Sequence, residues 1–193
     1  MPDATITITS DKGTYTITTS PATVGGVLQL PPGAVVQFDA VGAPSITVAH
    51  TGPDPFTTTP IVATAAGASY TLQQTGSFSL NVAGTSSPTL PVAPVYAFVI
   101  GSTSEITLGA GAIVQFETGA DQLPLTIATS DSKGNGVNLF VGETNHTTVL
   151  TNKVEQRTVG AVADDSYQLA DGSPMATIPI IGTINVSTRK RPH

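Results

Sequence analysis

The feature that most constrains this chain is a short run that occurs twice. Gly-Ala-Val-Val-Gln-Phe-Asp at 33–39 returns as Gly-Ala-Ile-Val-Gln-Phe-Glu at 111–117, so that Gln115 stands where the first copy has Gln37. Each run follows a leucine and small turn-forming residues, and β-branched residues of this kind favour strands. The repeat predicts a duplicated β module, with Val35 and Ile113, or their immediate neighbours, in equivalent cores.

Alternating patterns extend the β assignment to the rest of the chain. In Ala4–Thr9 threonine alternates with isoleucine, and Thr14–Thr19 repeats the alternation after an Asp11-Lys12-Gly13 turn, a pattern typical of a half-buried hairpin. Aromatic residues make up 5% of the sequence and charged residues 10%, while glycine and proline supply the turns. The predicted fold class is all-β: two tandem antiparallel β-sandwich modules that arise from an internal duplication.

The repeat also predicts the domain boundaries. We expect a first sandwich at residues 1–86, a Pro/Ser-rich linker at 87–94, a second sandwich at 95–188 and a basic tail at 189–193. Matching Tyr70 with Tyr167, and Val82 with Val186, makes the second copy longer, because the stretch from Gln115 to Val186 exceeds that from Gln37 to Val82 by 71 − 45 = 26. The predicted insertion lies at about 130–165, where specialisation is expected.

Charge and composition restrict the classes of partner. The 193 residues include 7 Lys or Arg and 13 Asp or Glu, and three of the basic residues lie in the last five, so residues 1–188 carry 4 − 13 = −9. Such an acidic body lacks the basic surface that binds a phosphate backbone, so no nucleic-acid partner is expected. The N-terminus does not resemble a signal peptide, and no apolar run is long enough for a membrane span. We therefore expect synthesis in the cytoplasm and no membrane association.

One acidic loop could offer oxygen ligands to calcium. Asp131-Ser132-Lys133-Gly134-Asn135-Gly136 alternates acidic or amide side chains with small residues. However, Lys133 stands where an acceptor is required, and no glutamate follows at the spacing of a calcium loop. A hairpin turn is the favoured interpretation.

The remaining polar residues do not form a recognised catalytic or metal motif. Cysteine is absent, so thiolate zinc sites and cysteine nucleophiles are excluded. His50 and His146 are far apart in sequence, and there is no Gly-x-Ser-x-Gly motif for a serine nucleophile. The neighbouring Asp164 and Asp165 would point to opposite faces of a strand. We predict no enzyme activity, no cofactor and no metal site.

Each half resembles a cupredoxin-type or immunoglobulin-like sandwich. The residues that carry the resemblance are Leu30–Phe38, the following Pro44–Val48 strand, and Tyr70 with the alternating Phe78, Leu80 and Val82. The resemblance implies the sandwich. A cupredoxin copper site needs a cysteine, and this chain has none, so the resemblance does not extend to copper.

The whole chain is also similar in style to structural proteins of tailed-phage virions, particularly head-decoration proteins. These are small, cysteine-free β proteins rich in Thr, Ala, Gly and Val. The resemblance implies a non-enzymatic virion protein that decorates or cements a phage capsid by protein–protein contacts, with a capsid or other virion protein as partner, and that forms a homo-oligomer. The alternative is a carbohydrate- or cell-surface-binding β-sandwich module. The candidate partner contacts lie at the two termini: Thr5, Ile6, Thr7, Ile8, Arg189, Lys190 and Arg191.

Overall fold

The structure is a computed structural model that describes residues 1–86, 88–100, 104–119, 123–172 and 180–186. The described residues form β-strands, turns and loops, without a helix. The all-β prediction is therefore confirmed. The chain divides into two compact units, with the boundary between Pro94 and Val95.

The first unit contains eight strands and the first half of a ninth. These strands are β1 (Ala4–Asp11), β2 (Thr14–Ser20), β3 (Leu28–Leu30), β4 (Val35–Val41), β5 (Ser45–His50), β6 (Ile61–Thr64), β7 (Ala68–Thr71), β8 (Phe78–Val82) and β9 (Leu90–Val99).

Two sheets enclose the core of the first unit. One has the order β2-β1-β4-β7, and the other has the order β6-β5-β8-β9-β3. A single bridge between Asp39 and Thr64 joins β4 to β6. Period-two alternation directs Ile6 and Phe38 of one sheet, and Val48 and Leu80 of the other, into one buried cluster.

The second unit contains the rest of β9 and seven further strands. These strands are β10 (Ser104–Leu108), β11 (Ile113–Glu117), β12 (Leu125–Ser130), β13 (Thr147–Leu150), β14 (Val154–Thr158), β15 (Asp165–Asp171) and β16 (Ile180–Val186). One sheet has the order β9-β11-β14, and the other has the order β13-β12-β15-β16-β10. Phe98 and Phe116 from the first sheet and Ile127, Leu169 and Ile184 from the second meet in one buried cluster.

The strand pairings of the two units correspond. The Gln37 strand, β4, lies parallel to β1 and antiparallel to β7, and the Gln115 strand, β11, lies parallel to β9 and antiparallel to β14. Val36 and Val114, the neighbours of Val35 and Ile113, are both fully buried, as the repeat predicts. These equivalences support the duplication, which stays a prediction about the history of the chain.

The sheets are mixed, so the prediction of purely antiparallel sandwiches is wrong in this respect. Besides β1–β4 and β9–β11, the pairs β3–β9 and β10–β16 are parallel. Between β2 and β4 the chain crosses to the other sheet, where it forms β3, and it returns beside β1 in the same direction. Sequence alternation does not reveal these crossings.

Two of the sequence matches between the halves, Tyr70 with Tyr167 and Val82 with Val186, are also wrong. Val82 lies on β8, whereas Val186 lies on β16, which corresponds to β9. Tyr70 lies on β7, which corresponds to β14, whereas Tyr167 lies on β15, which corresponds to β8. The pairing registers match Leu80 with Leu169 instead. Both matched patterns were short alternating runs, and such runs occur on any half-buried strand.

The corrected register reduces the size of the predicted insertion. Phe38 and Val92 correspond to Phe116 and Ile184, so the gain in length between them is (184 − 116) − (92 − 38) = 14 instead of 26. More than half of the gain lies between β12 and β13. There the paired Ile127 and Thr148 are further apart in sequence than their counterparts, Val48 and Ile61, by (148 − 127) − (61 − 48) = 8.

The predicted linker at 87–94 is largely strand. Leu90–Pro94 is the first half of β9, where Val92 pairs with both Leu28 and Phe78 and is fully buried. The strand runs through Pro91 and Pro94, whose fixed backbone angle suits extended chain but which donate no N–H to the ladder.

Candidate interaction surface

Strand β2 forms a free edge of the first unit. It pairs with β1 from Thr5–Ser20 to Asp11–Thr14, and on its other side it has no strand partner within the described residues. The hairpin prediction for these two strands is confirmed. Lys12 and Gly13 form its two-residue turn, with φ angles of 48° and 85° that suit a type I′ turn.

The turn determines which backbone groups of β2 face the free edge. A two-residue hairpin loop closes on a hydrogen-bonded pair, here Asp11 and Thr14. Because bonded and non-bonded pairs alternate along an antiparallel ladder, the even-numbered residues from Thr14 to Ser20 bond to β1. The N–H and C=O groups of three residues therefore point away from β1: Tyr15, Ile17 and Thr19.

The edge carries none of the features that usually prevent strand pairing. Natural edge strands are blocked by lysine, proline, a bulge or short length. β2 is seven residues long, reads Thr-Tyr-Thr-Ile-Thr-Thr-Ser, and pairs with β1 without a break in register. Tyr15 and Ile17 pack on the core of the first unit but remain half-buried. In the sequence, the feature that indicates an unblocked edge is the absence of charged residues over Thr14–Ser20.

The partner contacts predicted in β1 stay a prediction, and the structure places them beside the free edge instead of on it. Ile6 and Ile8 are each 1% exposed, and the backbone of β1 pairs with β2 on one side and with β4 on the other. Thr5 and Thr7 lie on the other face of β1 and are half-buried. The free edge belongs to the second arm of the hairpin. The predicted contacts in the tail, Arg189, Lys190 and Arg191, lie outside the described residues.

The Asp131 loop is a turn, as the sequence favoured. The Asp131 carboxylate accepts hydrogen bonds from the backbone N–H of Lys133 at 2.9 Å, and from the backbone and side chain of Asn135. The side-chain bond from Asn135 is the main reason that the pKa of Asp131 is lowered. The carboxylate therefore serves to hold the turn.

The aspartate pair near β15 also has local roles. Asp165 accepts hydrogen bonds from the Ser132 hydroxyl at 3.0 Å and from the backbone N–H of Ser166, and both lower its pKa. Asp164 is exposed. Within the described ranges, no group of three or more His, Cys, Asp or Glu side chains is placed to hold a metal ion.

The two histidines considered from the sequence, His50 and His146, lie in different units. His50 ends β5, with its Nε2 3.4 Å from an Asp54 carboxylate oxygen, beside an open groove of about 490 Å³. Thr47 and Thr59 also line this groove. His146 is exposed, and its backbone N–H donates to the Asn138 side chain at 2.8 Å. The groove lining therefore includes one histidine, His50, whose carboxylate partner Asp54 is outside the lining.

A further well-organised carboxylate, that of Glu155 near the start of β14, holds the turn after β13. Glu155 accepts hydrogen bonds from the backbone N–H groups of Thr151 and Asn152 at 2.6 and 2.8 Å, and from Arg157 at 2.6 Å. Burial favours the neutral acid, but these bonds outweigh it and lower the pKa of Glu155 from 4.5 to about 2. No sequence motif marks this arrangement, because two of its donors are the backbone N–H groups of Thr151 and Asn152.

The aromatic rings are used for packing. All ten aromatic residues lie in the described ranges, and the six phenylalanines are at most 5% exposed. Tyr96 and Tyr167 are also buried, and the hydroxyl of half-buried Tyr70 is bonded to the backbone of Val62. None of these nine rings is therefore available for stacking on a sugar. The tenth, that of Tyr15, is half-buried.

Comparison with known proteins gives no family for this chain. No family model matches it, and no curated protein matches it. Within the described residues there is no helix of the length and hydropathy that a membrane span requires.

Three solved structures that resemble the chain are copper proteins. They include a copper-containing nitrite reductase from Thermus scotoductus (12% identity, 96% of this chain, 62% of that chain, TM-score 0.32). A multicopper oxidase variant from Aquifex aeolicus has 9% identity over 98% of this chain and 64% of the other, with a TM-score of 0.33. One from Pediococcus acidilactici has 9% identity over 98% and 57%, with a TM-score of 0.32. The chain spans less than two thirds of each, and TM-scores this low support no conclusion about activity.

Proposed function

We propose that this protein is a non-enzymatic structural protein of a virus particle, which decorates or cements a phage capsid through protein–protein contacts. The observation that carries the proposal is the uncharged, unblocked edge of β2. A row of free N–H and C=O groups on a regular strand is a template for pairing with another chain.

The charge distribution is consistent with assembly against protein. Between residues 1 and 188 the chain carries four basic residues, and its acidic groups at Asp131, Asp165 and Glu155 are satisfied by local donors. These carboxylates stabilise turns, so they are not free to perform acid–base chemistry. The β2 edge has no charged side chain, so it can bind another chain through its backbone N–H and C=O groups.

The alternative function, carbohydrate or cell-surface binding, has less support. Sugar-binding β-sandwiches stack sugar rings on exposed aromatic side chains, because a ring face combines apolar contact with defined geometry. Here eight of the ten aromatic residues are buried, and Tyr70 uses its hydroxyl to bond β6. Saturable binding of a defined sugar on a glycan array would favour this alternative.

The test is the location of the native protein. Cells that produce it are lysed, the lysate is separated on a density gradient, and the protein is quantified across the fractions together with the major shell protein. We expect it to sediment with particles at a fixed, repeated ratio to the shell subunit, and to remain there after a wash in high salt. Recovery of all of the protein at the top of the gradient, with particles present below, would refute the proposal.

A matched pair of variants makes the test specific to β2. Thr16→Lys places a charge on the solvent face of the edge strand, and Thr57→Lys places the same charge on an exposed loop of the same unit. We expect the first variant to lose particle association and the second to keep it. Equal association of both variants would show that attachment uses another surface.

A further inference from the structure

The free edge of β2 is nearly symmetric about its central residue. The residues whose N–H and C=O groups point outward are Tyr15, Ile17 and Thr19, and the strand runs from Thr14 to Ser20 with Ile17 at its midpoint. A two-fold axis beside Ile17 would set Ile17 opposite its own copy and Tyr15 opposite Thr19. In that register every outward group meets an outward group, and each facing pair exchanges both hydrogen bonds.

We propose that β2 pairs antiparallel with β2 of a second copy of this chain, which gives a closed two-fold dimer. The three facing pairs would form about six backbone hydrogen bonds, two for each pair. The contact is isologous, because the same residues serve on both sides, and it therefore stops at two copies. This proposal rests on the same edge as the proposed function, with the dimer as the unit that attaches to a particle. Sedimentation of the purified chain alone tests the dimer, so its failure is distinguishable from a failure of particle attachment.

The side chains of β2 suit this partner on both faces of the sheet. On the core-facing side, the half-buried Ile17 would meet Ile17 of the other copy, and Tyr15 would meet Thr19, so the apolar surface of each core is extended. On the solvent-facing side, Thr16 would lie opposite Thr18. Aromatic–β-branched and Thr–Thr pairs of this kind stabilise adjacent strands.

Charge and the strand ends favour this one register. The strand contains no charged residue, so self-pairing brings no like charges together, and the nearest pair, Asp11 and Lys12, would face Thr23 and Ala22 of the second copy. A shift by two residues in one direction would bring Pro21 into the ladder, and proline has no N–H to donate. A shift in the other direction would place Thr19 opposite Gly13 in the turn.

The first experiment measures the mass of the purified chain by sedimentation equilibrium over a range of concentrations. We expect the mass to rise from 19.5 kDa to twice that value and then to remain constant. A constant mass of 19.5 kDa at every concentration would overturn the proposal. A continuing series of larger species would overturn the closed two-fold arrangement.

Complementary charges then test whether this edge forms the interface. The double variant Thr16→Lys/Thr18→Lys would place lysine opposite lysine, and Thr16→Glu/Thr18→Glu would place glutamate opposite glutamate. We expect each variant to remain monomeric, while an equimolar mixture of the two forms a dimer, because each lysine then faces a glutamate. Thr57→Lys/Thr58→Lys carries the same added charge on an exposed loop and should dimerise like the unmodified chain. Dimers that persist in both β2 variants would show that another surface is used.

Amide hydrogen exchange locates the interface directly. In the dimer, the N–H groups of Tyr15, Ile17 and Thr19 would be bonded across the two-fold axis, so their protection should rise with protein concentration. The N–H groups of Thr16 and Thr18 bond to β1 in both states, so their protection should not change with concentration. Unprotected exchange at Ile17 in a sample that sediments as a dimer would refute the pairing.

Discussion

The ring of Phe38 meets the ring of Phe56 edge-on, with centroids 5.5 Å apart and ring planes at 89°. In the second unit, Phe116 and Phe140 form the same contact at 5.6 Å and 82°. Phe56 bridges to Leu72, and Phe140 bridges to Val159, in the segments that follow β7 and β14. Each repeated Gln-Phe strand thus anchors a loop segment that is distant in sequence, and an edge-to-face pair is a favourable arrangement for two aromatic rings.

Truncation of either loop phenylalanine should strongly destabilise its unit. Phe56 is 1% exposed and Phe140 is 2% exposed, so replacement by alanine removes a buried ring and leaves a cavity. We expect Phe56→Ala and Phe140→Ala each to lower the free energy of unfolding by about 3–5 kcal/mol, measured by denaturant titration. Val141→Ala, at a site 66% exposed, is the control and should change it by less than about 0.5 kcal/mol. A loss below about 1 kcal/mol for either phenylalanine would contradict its place in the core.

Sequence reasoning predicted the local elements of this fold better than their partners. The alternation in Ala4–Thr9 and the Lys12-Gly13 turn depend on neighbouring residues, so the first hairpin could be predicted. The position of β1 between β2 and β4 depends on contacts between strands that are distant in sequence, and a single sequence carries no local signal for them. For the same reason, the sequence does not show that the free edge belongs to β2 and not to β1.

The match of Tyr70 with Tyr167 shows how similar patterns can arise at different places. Both tyrosines are partly or fully buried, and both donate a hydroxyl hydrogen bond to a nearby carbonyl, that of Val62 for Tyr70 and that of Ala163 for Tyr167. Yet they lie on non-equivalent strands. A buried tyrosine needs a hydrogen-bond partner for its hydroxyl wherever it occurs. Similar local sequences can therefore arise at non-equivalent places.

Tyr70 also supports an experiment on the stability of β6. Its hydroxyl accepts a hydrogen bond from the Val62 N–H at 2.9 Å and donates one to the Val62 C=O at 3.2 Å. Tyr70→Phe would remove both bonds without removing the ring, so we expect a loss of about 1–2 kcal/mol in the free energy of unfolding. Tyr15→Phe, at a half-buried tyrosine of β2, should lower the free energy of unfolding by less than about 0.5 kcal/mol. Equal effects of the two substitutions would show that the Tyr70 bonds do not contribute to stability.

Gly42 should be less tolerant of alanine than other glycines with a positive φ. Its φ is 78°, and a Cβ at this position would lie 2.2 Å from the backbone oxygen of Ser10. Gly25 has a φ of 58° with no atom within 4 Å of the corresponding Cβ, so Gly25→Ala measures backbone strain without a clash. We expect thermal denaturation to show Gly42→Ala as less stable than Gly25→Ala by about 1–3 kcal/mol, the cost of overpacking. Similar stabilities would indicate that β1 can move away from Gly42 at little cost.

The last prediction concerns the pH dependence of the second unit, through Glu155. Its ordinary pKa of 4.5 applies to the unfolded chain, and in the folded chain the pKa is about 2. A folded-state pKa below the unfolded value means that the carboxylate stabilises the fold fully above pH 4.5, and that this stabilisation is lost as the pH falls towards 2. We expect Glu155→Gln to lower the free energy of unfolding at pH 7 by about 1–3 kcal/mol, because its hydrogen bonds lose the charged acceptor. The difference between the two proteins should shrink between pH 4.5 and 2. Asp11→Asn, at an exposed aspartate of the first unit, is the control. A difference that stays constant over this range would show that the charge of Glu155 is not what stabilises the β13–β14 turn.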